Sequence, residues 1–316
     1  MKLSNNSAVL NTLATICAVS AAFRSVTPGE GHAYLKKPAS RNFVASQSDY
    51  LDWASFKDKA GKALTEPCPS CLDQNNGVCG KTQYDDTDFN RKNGLRDFDK
   101  WIDWNGNPMP WNSTETYTEG STITVDILME TNHQGHFQLR ACPVTDRTIP
   151  SATEECFASH KLMFEKDITH GVRKDKKHPE RAYVYGGHPK AEHGVNMSYQ
   201  FKLPEGLTGE KVLLQYFWYT GYCKYSGYDE YLTEENKEKL KWDNSYYPRC
   251  PKRQDPWAGG PFNNTRKPGG ADEPEFFVNC AEVTIRSLGG ALDTPDTPLI
   301  GTTAPKLMKR SKKNPN

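Results

Sequence analysis

Two histidines carry the most specific chemical prospect in this chain. His32 lies directly after Gly29-Glu30-Gly31, which follows a short apolar leader, Ala8 to Phe23. Gly29 and Gly31 put small residues at the two positions a signal peptidase reads before its cut. A cut after Gly31 makes His32 the first residue of the mature chain. An N-terminal histidine offers two metal ligands, its α-amino nitrogen and a ring nitrogen. His133, in Glu130-Thr-Asn-His-Gln-Gly-His-Phe137, is the candidate for a third nitrogen. A planar or T-shaped nitrogen set favours copper over zinc or magnesium, and copper brings redox chemistry. Two alternatives stay open on the residues alone. A cut near Ala22 leaves His32 internal and removes the amino ligand. His136 rivals His133; strand positions of opposite parity face opposite ways, so only one of them is expected to face the site.

The rest of the chain fits an exported protein. Of nine cysteines, Cys17 falls in the leader. The other eight, Cys68, Cys71, Cys79, Cys142, Cys156, Cys223, Cys250 and Cys280, read as four disulfides in an oxidising compartment. Local spacing suggests Cys142–Cys156 as one bridge. Cys68-Pro-Ser-Cys71 is also compatible with half a zinc site or a redox pair, but no second CxxC completes a four-thiolate site. Asn112, Asn196 and Asn263 each begin a glycosylation sequon. The formal net charge is +1, and five basic residues of the tail, Lys306 to Lys313, mask a slightly acidic body. That is no nucleic-acid footprint. Past the leader, no segment approaches the apolar length of a membrane span.

These side chains need a frame. Residues 1–31 read as a signal peptide, 32–287 as one domain, and 288–316 as a disordered tail or linker. Ile123, Val125, Ile127 and Met129 alternate on one face, as in a half-buried strand. Phe137 to Ala141 alternates likewise, so the two runs look like a bent strand or a hairpin. Val212 to Tyr219 is nearly all apolar and predicts a central strand covered on both faces. Phe276 to Ile285 is the last strand. Glu234 to Lys241 is a short charged helix. Strands this far apart, with no helical pattern between them, predict an all-β, antiparallel sandwich of the immunoglobulin or fibronectin-III kind. Its long loops, at 44–120, 165–193 and 221–262, are pinned by disulfides. The 165–193 loop is rich in histidine, with His170, His178, His188 and His193, and reads as a solvated loop or a second metal site.

Four motifs, in order, resemble a known family. His32-Ala-Tyr-Leu-Lys-Lys-Pro-Ala-Ser-Arg41 resembles the mature start of lytic polysaccharide monooxygenases. Thr131-Asn-His-Gln-Gly-His-Phe-Gln-Leu-Arg-Ala-Cys-Pro143 resembles their second-histidine strand. Val212 to Tyr219 resembles their core strand, and Phe276-Phe-Val-Asn-Cys-Ala-Glu-Val283 their closing strand. The likeness covers most of the body, is weak over 144–211 and 224–270, and is nearest to the animal, algal and oomycete-type branch and to the bacterial chitin-binding type-4 group. It implies that His32 and His133 hold copper and that Phe277 lies at the axial position, with Phe276 one register step away. Thr131 stands where relatives often have Ala, near the open face of the metal.

The resemblance also implies an activity. An external electron donor reduces the copper, and an oxygen co-substrate then serves oxidation at a glycosidic carbon of an insoluble polysaccharide, chitin or cellulose, with pectic polymers a further option. A flat polymer is expected to meet exposed aromatic side chains; Tyr34, Trp101, Trp104, Trp111 and the run Tyr222 to Tyr231 are the candidates. Hydrolysis instead requires two carboxylates flanking the bond, and no such pair stands out. The expected protein is a secreted monomer with no nucleic-acid or membrane partner. The rivals are a copper carrier and a non-catalytic chitin-binding module on the same fold.

Overall fold

The alternating run read around Ile123 does form a strand. In a computed structural model, residues 33–47, 78–80, 98–99, 101, 108–145, 152–188, 190–221, 223–244 and 276–289 are described. The strands are β1 (Ala33–Lys37), β2 (Glu115–Thr118), β3 (Thr122–Thr131), β4 (His136–Pro143), β5 (Met163–Asp167), β6 (Ala182–Tyr183), β7 (Lys190–Lys202), β8 (Gly209–Tyr219) and β9 (Phe276–Arg286). They form two sheets, a four-stranded one in the order β1-β3-β7-β5 and a five-stranded one in the order β2-β9-β8-β4-β6. The predicted sandwich is present. One pairing departs from the antiparallel expectation: β2 runs parallel to β9, with Glu115 opposite Val283.

The core lies between the sheets. Ile123, Val125, Ile127 and Met129 of β3 and Met197, Tyr199 and Phe201 of β7 face Leu214, Tyr216 and Trp218 of β8 and Phe277, Val283 and Ile285 of β9. The period of two makes this possible, since alternate residues of each strand share a face. β8 is covered on both faces, as its apolar run predicts. Phe217 and Tyr219 turn outward into a second cluster with Tyr183, Tyr225, Tyr228, Tyr231 and Trp242. Leu213 packs outward with Cys142, Cys280 and Phe157.

Two expectations need correction. β3 and β4 form neither a hairpin nor one bent strand. They belong to different sheets, and Asn132–Gly135 carries the chain from one to the other. β7, the long partner of β3, was not read from the sequence, although Val195, Met197, Tyr199 and Phe201 alternate and Ile123 pairs with Phe201. The Cys142–Cys156 bridge is present, and Cys79 is joined to Cys280. Cys223 is disulfide-bonded as well. Cys68, Cys71 and Cys250, the leader, and the tail beyond Gly289 lie outside the described residues. The helix at Glu234–Leu240 forms as expected, and the hydroxyl of Thr233 accepts from the backbone N–H of Asn236 at 3.3 Å.

Candidate metal centre

The crossing from one sheet to the other fixes His133. Its backbone is tied on every side. The carbonyl of His133 accepts from Gly221 N–H at 2.7 Å, and that of Gln134 from the Trp218 indole N–H at 2.7 Å. The Asn132 side chain accepts from Gln134 N–H at 2.7 Å and donates to the Tyr185 carbonyl at 2.6 Å. Gln134 and Gly135 both have positive φ, 56° and 82°. At Gly135 a Cβ would lie 1.9 Å from the Tyr219 carbonyl oxygen, so only glycine fits. A loop held this way presents one side chain in one place.

The His133 ring lies at the end of the core. It is 8% exposed and stacks on Trp218, with ring centres 6.0 Å apart, and on Phe277, at 6.4 Å. Trp218 and Phe277 are themselves 5.0 Å apart. Phe277 is fully buried and carries no donor atom. Phe276 turns the other way, onto Phe217 at 5.3 Å. So it is Phe277, and not Phe276, that packs against His133.

His136 goes elsewhere. Its Nδ1 is 2.6 Å from the Tyr228 hydroxyl, and its ring stacks on Tyr219 at 4.7 Å. Burial, then the charges of Arg181, His178 and Arg140, hold its pKa well below the ordinary value. One histidine of the pair faces the end of the core and the other fills the outer aromatic cluster.

His32 lies outside the described residues; its neighbour Ala33 opens β1. Ala33 pairs with Met129, four residues before His133 in the chain. Three further contacts hold β1. Leu35 N–H donates to Asn279 Oδ1 at 3.1 Å, from one sheet to the other. Ser40 bridges to Ala281 of β9. Arg41, buried, pairs with Glu282 at 2.8 Å and donates to the Phe98 carbonyl at 2.7 Å. The arginine of the N-terminal motif is thus an anchor. Asn279 and Glu282 were missed as supports; their only sequence signal is a polar residue at a buried position of an apolar strand.

The predicted aromatic platform is largely overturned. Tyr34 is 5% exposed and stacked on Phe43 at 5.1 Å. Its hydroxyl is pushed up to about 12 by burial and then by Glu130. Trp101 is 2% exposed, packed with Phe98, Val44 and Met109. Tyr225, Tyr228 and Tyr231 are buried too, and Trp111 is half-buried. These rings complete cores under the loops rather than facing solvent. Trp104 and Tyr222 lie outside the described residues.

Copper fits the donor chemistry. His133 gives an imidazole in a fixed loop, with apolar, non-ligating rings behind it. Among the described residues no three His, Cys, Asp or Glu side chains gather into a metal site. Fold and donor together describe a β-sandwich with one fixed imidazole, His133, at an end of its core.

A family model described as "Lytic polysaccharide mono-oxygenase, cellulose-degrading" matches residues 32–283, and the chain belongs to that family. It is therefore a copper-dependent enzyme of oxidative polysaccharide cleavage. Two solved structures are similar. The lytic polysaccharide monooxygenase AA15 from Thermobia domestica, in the Cu(I) state, has 20% identity and a TM-score of 0.40, covering 81% of this chain and 99% of that one. The cellulose-active CelS2, in complex with copper, has 14% identity and a TM-score of 0.32, covering 80% and 98%. No curated protein sequence matches.

Proposed function

We propose that the chain is exported, begins at His32 after cleavage, and oxidises cellulose or chitin at a copper held by His32 and His133. One observation carries the ligand assignment. Ala33 is hydrogen-bonded into the sheet beside the end of β3, and His133 lies two residues past that end. Ala33, the residue that follows His32 in the chain, therefore lies at the end of the sandwich that carries His133. The cellulose-degrading description of the family favours cellulose as the first polymer to test.

Copper, when bound, supplies the electron exchange with an external donor and an oxygen co-substrate that this reaction class requires. The chain's own residues do the positioning. His133 supplies a ring nitrogen from a loop that cannot relax. Phe277 and Trp218 exclude water behind it and offer no competing ligand. A dry, rigid wall on one side leaves exchange to the other. Asn279 and Arg41 tie β1 and the segment after it to β9.

N-terminal sequencing of secreted protein, with copper titration of the same sample, tests this reading. A start at His32 and one tightly bound copper are expected. A start near Phe23 with copper binding intact would overturn the two-histidine site.

A further inference from the structure

We propose that His170 and His188 form a second metal site, distinct from that at His133, for a borderline divalent ion such as Zn(II) or Cu(II). The ring centres are 5.3 Å apart and tilted by 46°. At a metal–nitrogen distance of about 2.0–2.1 Å, two imidazoles sharing a tetrahedral ion hold their centres roughly 5 Å apart. The ring-centre separation of the pair therefore matches that of two imidazoles sharing one ion.

The surroundings are built to hold it. The Tyr185 ring lies flat under His170, with centres 4.1 Å apart and an angle of 14°, and is 5.7 Å from His188. Tyr185 is held by the hydrogen bond from Asn132 to its carbonyl. Gly187 makes room for its ring, since a Cβ there would lie 2.3 Å from Tyr185 Cε1. The backbone of His170 is fixed by Asp167, whose carboxylate accepts from Thr169 and His170 N–H at 2.9 Å each.

An unsatisfied atom points to a ligand. His170 Nε2 is shielded from solvent and has no hydrogen-bond partner among the described residues. Buried polar atoms are nearly always satisfied, and an absent ion or water is a common reason when one is not. His188 is half-buried, so water can complete the coordination. Ring stacking alone explains the contact with Tyr185. It does not explain a second imidazole at metal-sharing distance beside an orphaned nitrogen.

The test is calorimetric titration of untagged protein, already holding one equivalent of Cu(II), with Zn(II) alone. One further equivalent should bind. His188→Ala and His188→Gln should each weaken that event more than the roughly 10–100-fold typical of losing an outer-shell partner, with the metal-free melting temperature unchanged. His133→Ala should lose the first copper and keep the zinc event, which separates this site from the proposed copper centre. Nitrogen-15 spectra should show zinc shifting two histidine rings of the unaltered protein. Absence of a second equivalent, its survival in both His188 variants, or its loss in His133→Ala would overturn the proposal.

Discussion

Asn279 of β9 and Leu35 of β1 are joined across the two sheets, the Asn279 Oδ1 accepting from the Leu35 N–H at 3.1 Å. Both residues are buried. The bond ties the first of the described strands to the last, one residue from Val278 and two from Phe277.

Asn279→Ala should therefore affect more than stability. It leaves the Leu35 N–H unsatisfied in a dry setting, a cost of about 1–3 kcal/mol. Chemical denaturation should show that loss. Calorimetry on the folded variant should show weaker copper binding, because the proposed ligand His32 directly precedes β1 in the chain. Unchanged copper affinity would mean that the chain start is held by other contacts.

The two histidines of the crossing should separate cleanly. His133→Ala should lower copper affinity by about tenfold or more with little loss of fold, since the ring sits at the end of the core. His136→Ala should do the reverse. It removes a ring stacked on Tyr219 and bonded to Tyr228, and truncating a ring that size costs about 3–5 kcal/mol in a core. The opposite ranking in copper titrations would show that the register is wrong.

His136 also sets an acid limit. Its pKa in the fold is held well below 6.5 by burial and then by Arg181, His178 and Arg140. The folded state keeps it neutral, while the unfolded chain takes up a proton below about pH 6.5. Its contribution is thus complete above that value and is lost as pH falls towards the folded pKa, with a slope of up to about 1.4 kcal/mol per pH unit. Denaturation midpoints at pH 7.5 and 5.5 should differ more in the unaltered protein than in His136→Gln. Equal pH dependence would show that His136 is charged or exposed in the fold.

Much of this was legible in the residues. Ile123 to Met129 and Val212 to Tyr219 showed their faces because period-two alternation is a local property. His133 stood out because it follows such a strand. What sequence hid were relations set by tertiary contact. The break between β3 and β4 depends on Gln134 and Gly135 turning left-handed, and the short spacing reads equally as a hairpin. Tyr34 and Trp101 looked like sugar platforms because a ring's exposure depends on what covers it. Phe43 covers the first, and Phe98 with Val44 and Met109 encloses the second. Asn279 and Glu282 gave no sign of their roles, since Leu35 and Arg41, which they hold, lie more than two hundred residues away.

The most direct test of the central claim is mass spectrometry of the products released from cellulose and chitin by the copper-loaded mature protein with ascorbate. The account predicts aldonic acids or ketoaldoses, absent without reductant, abolished by a chelator and lost in His133→Ala. Ordinary reducing oligosaccharides released without reductant would contradict it.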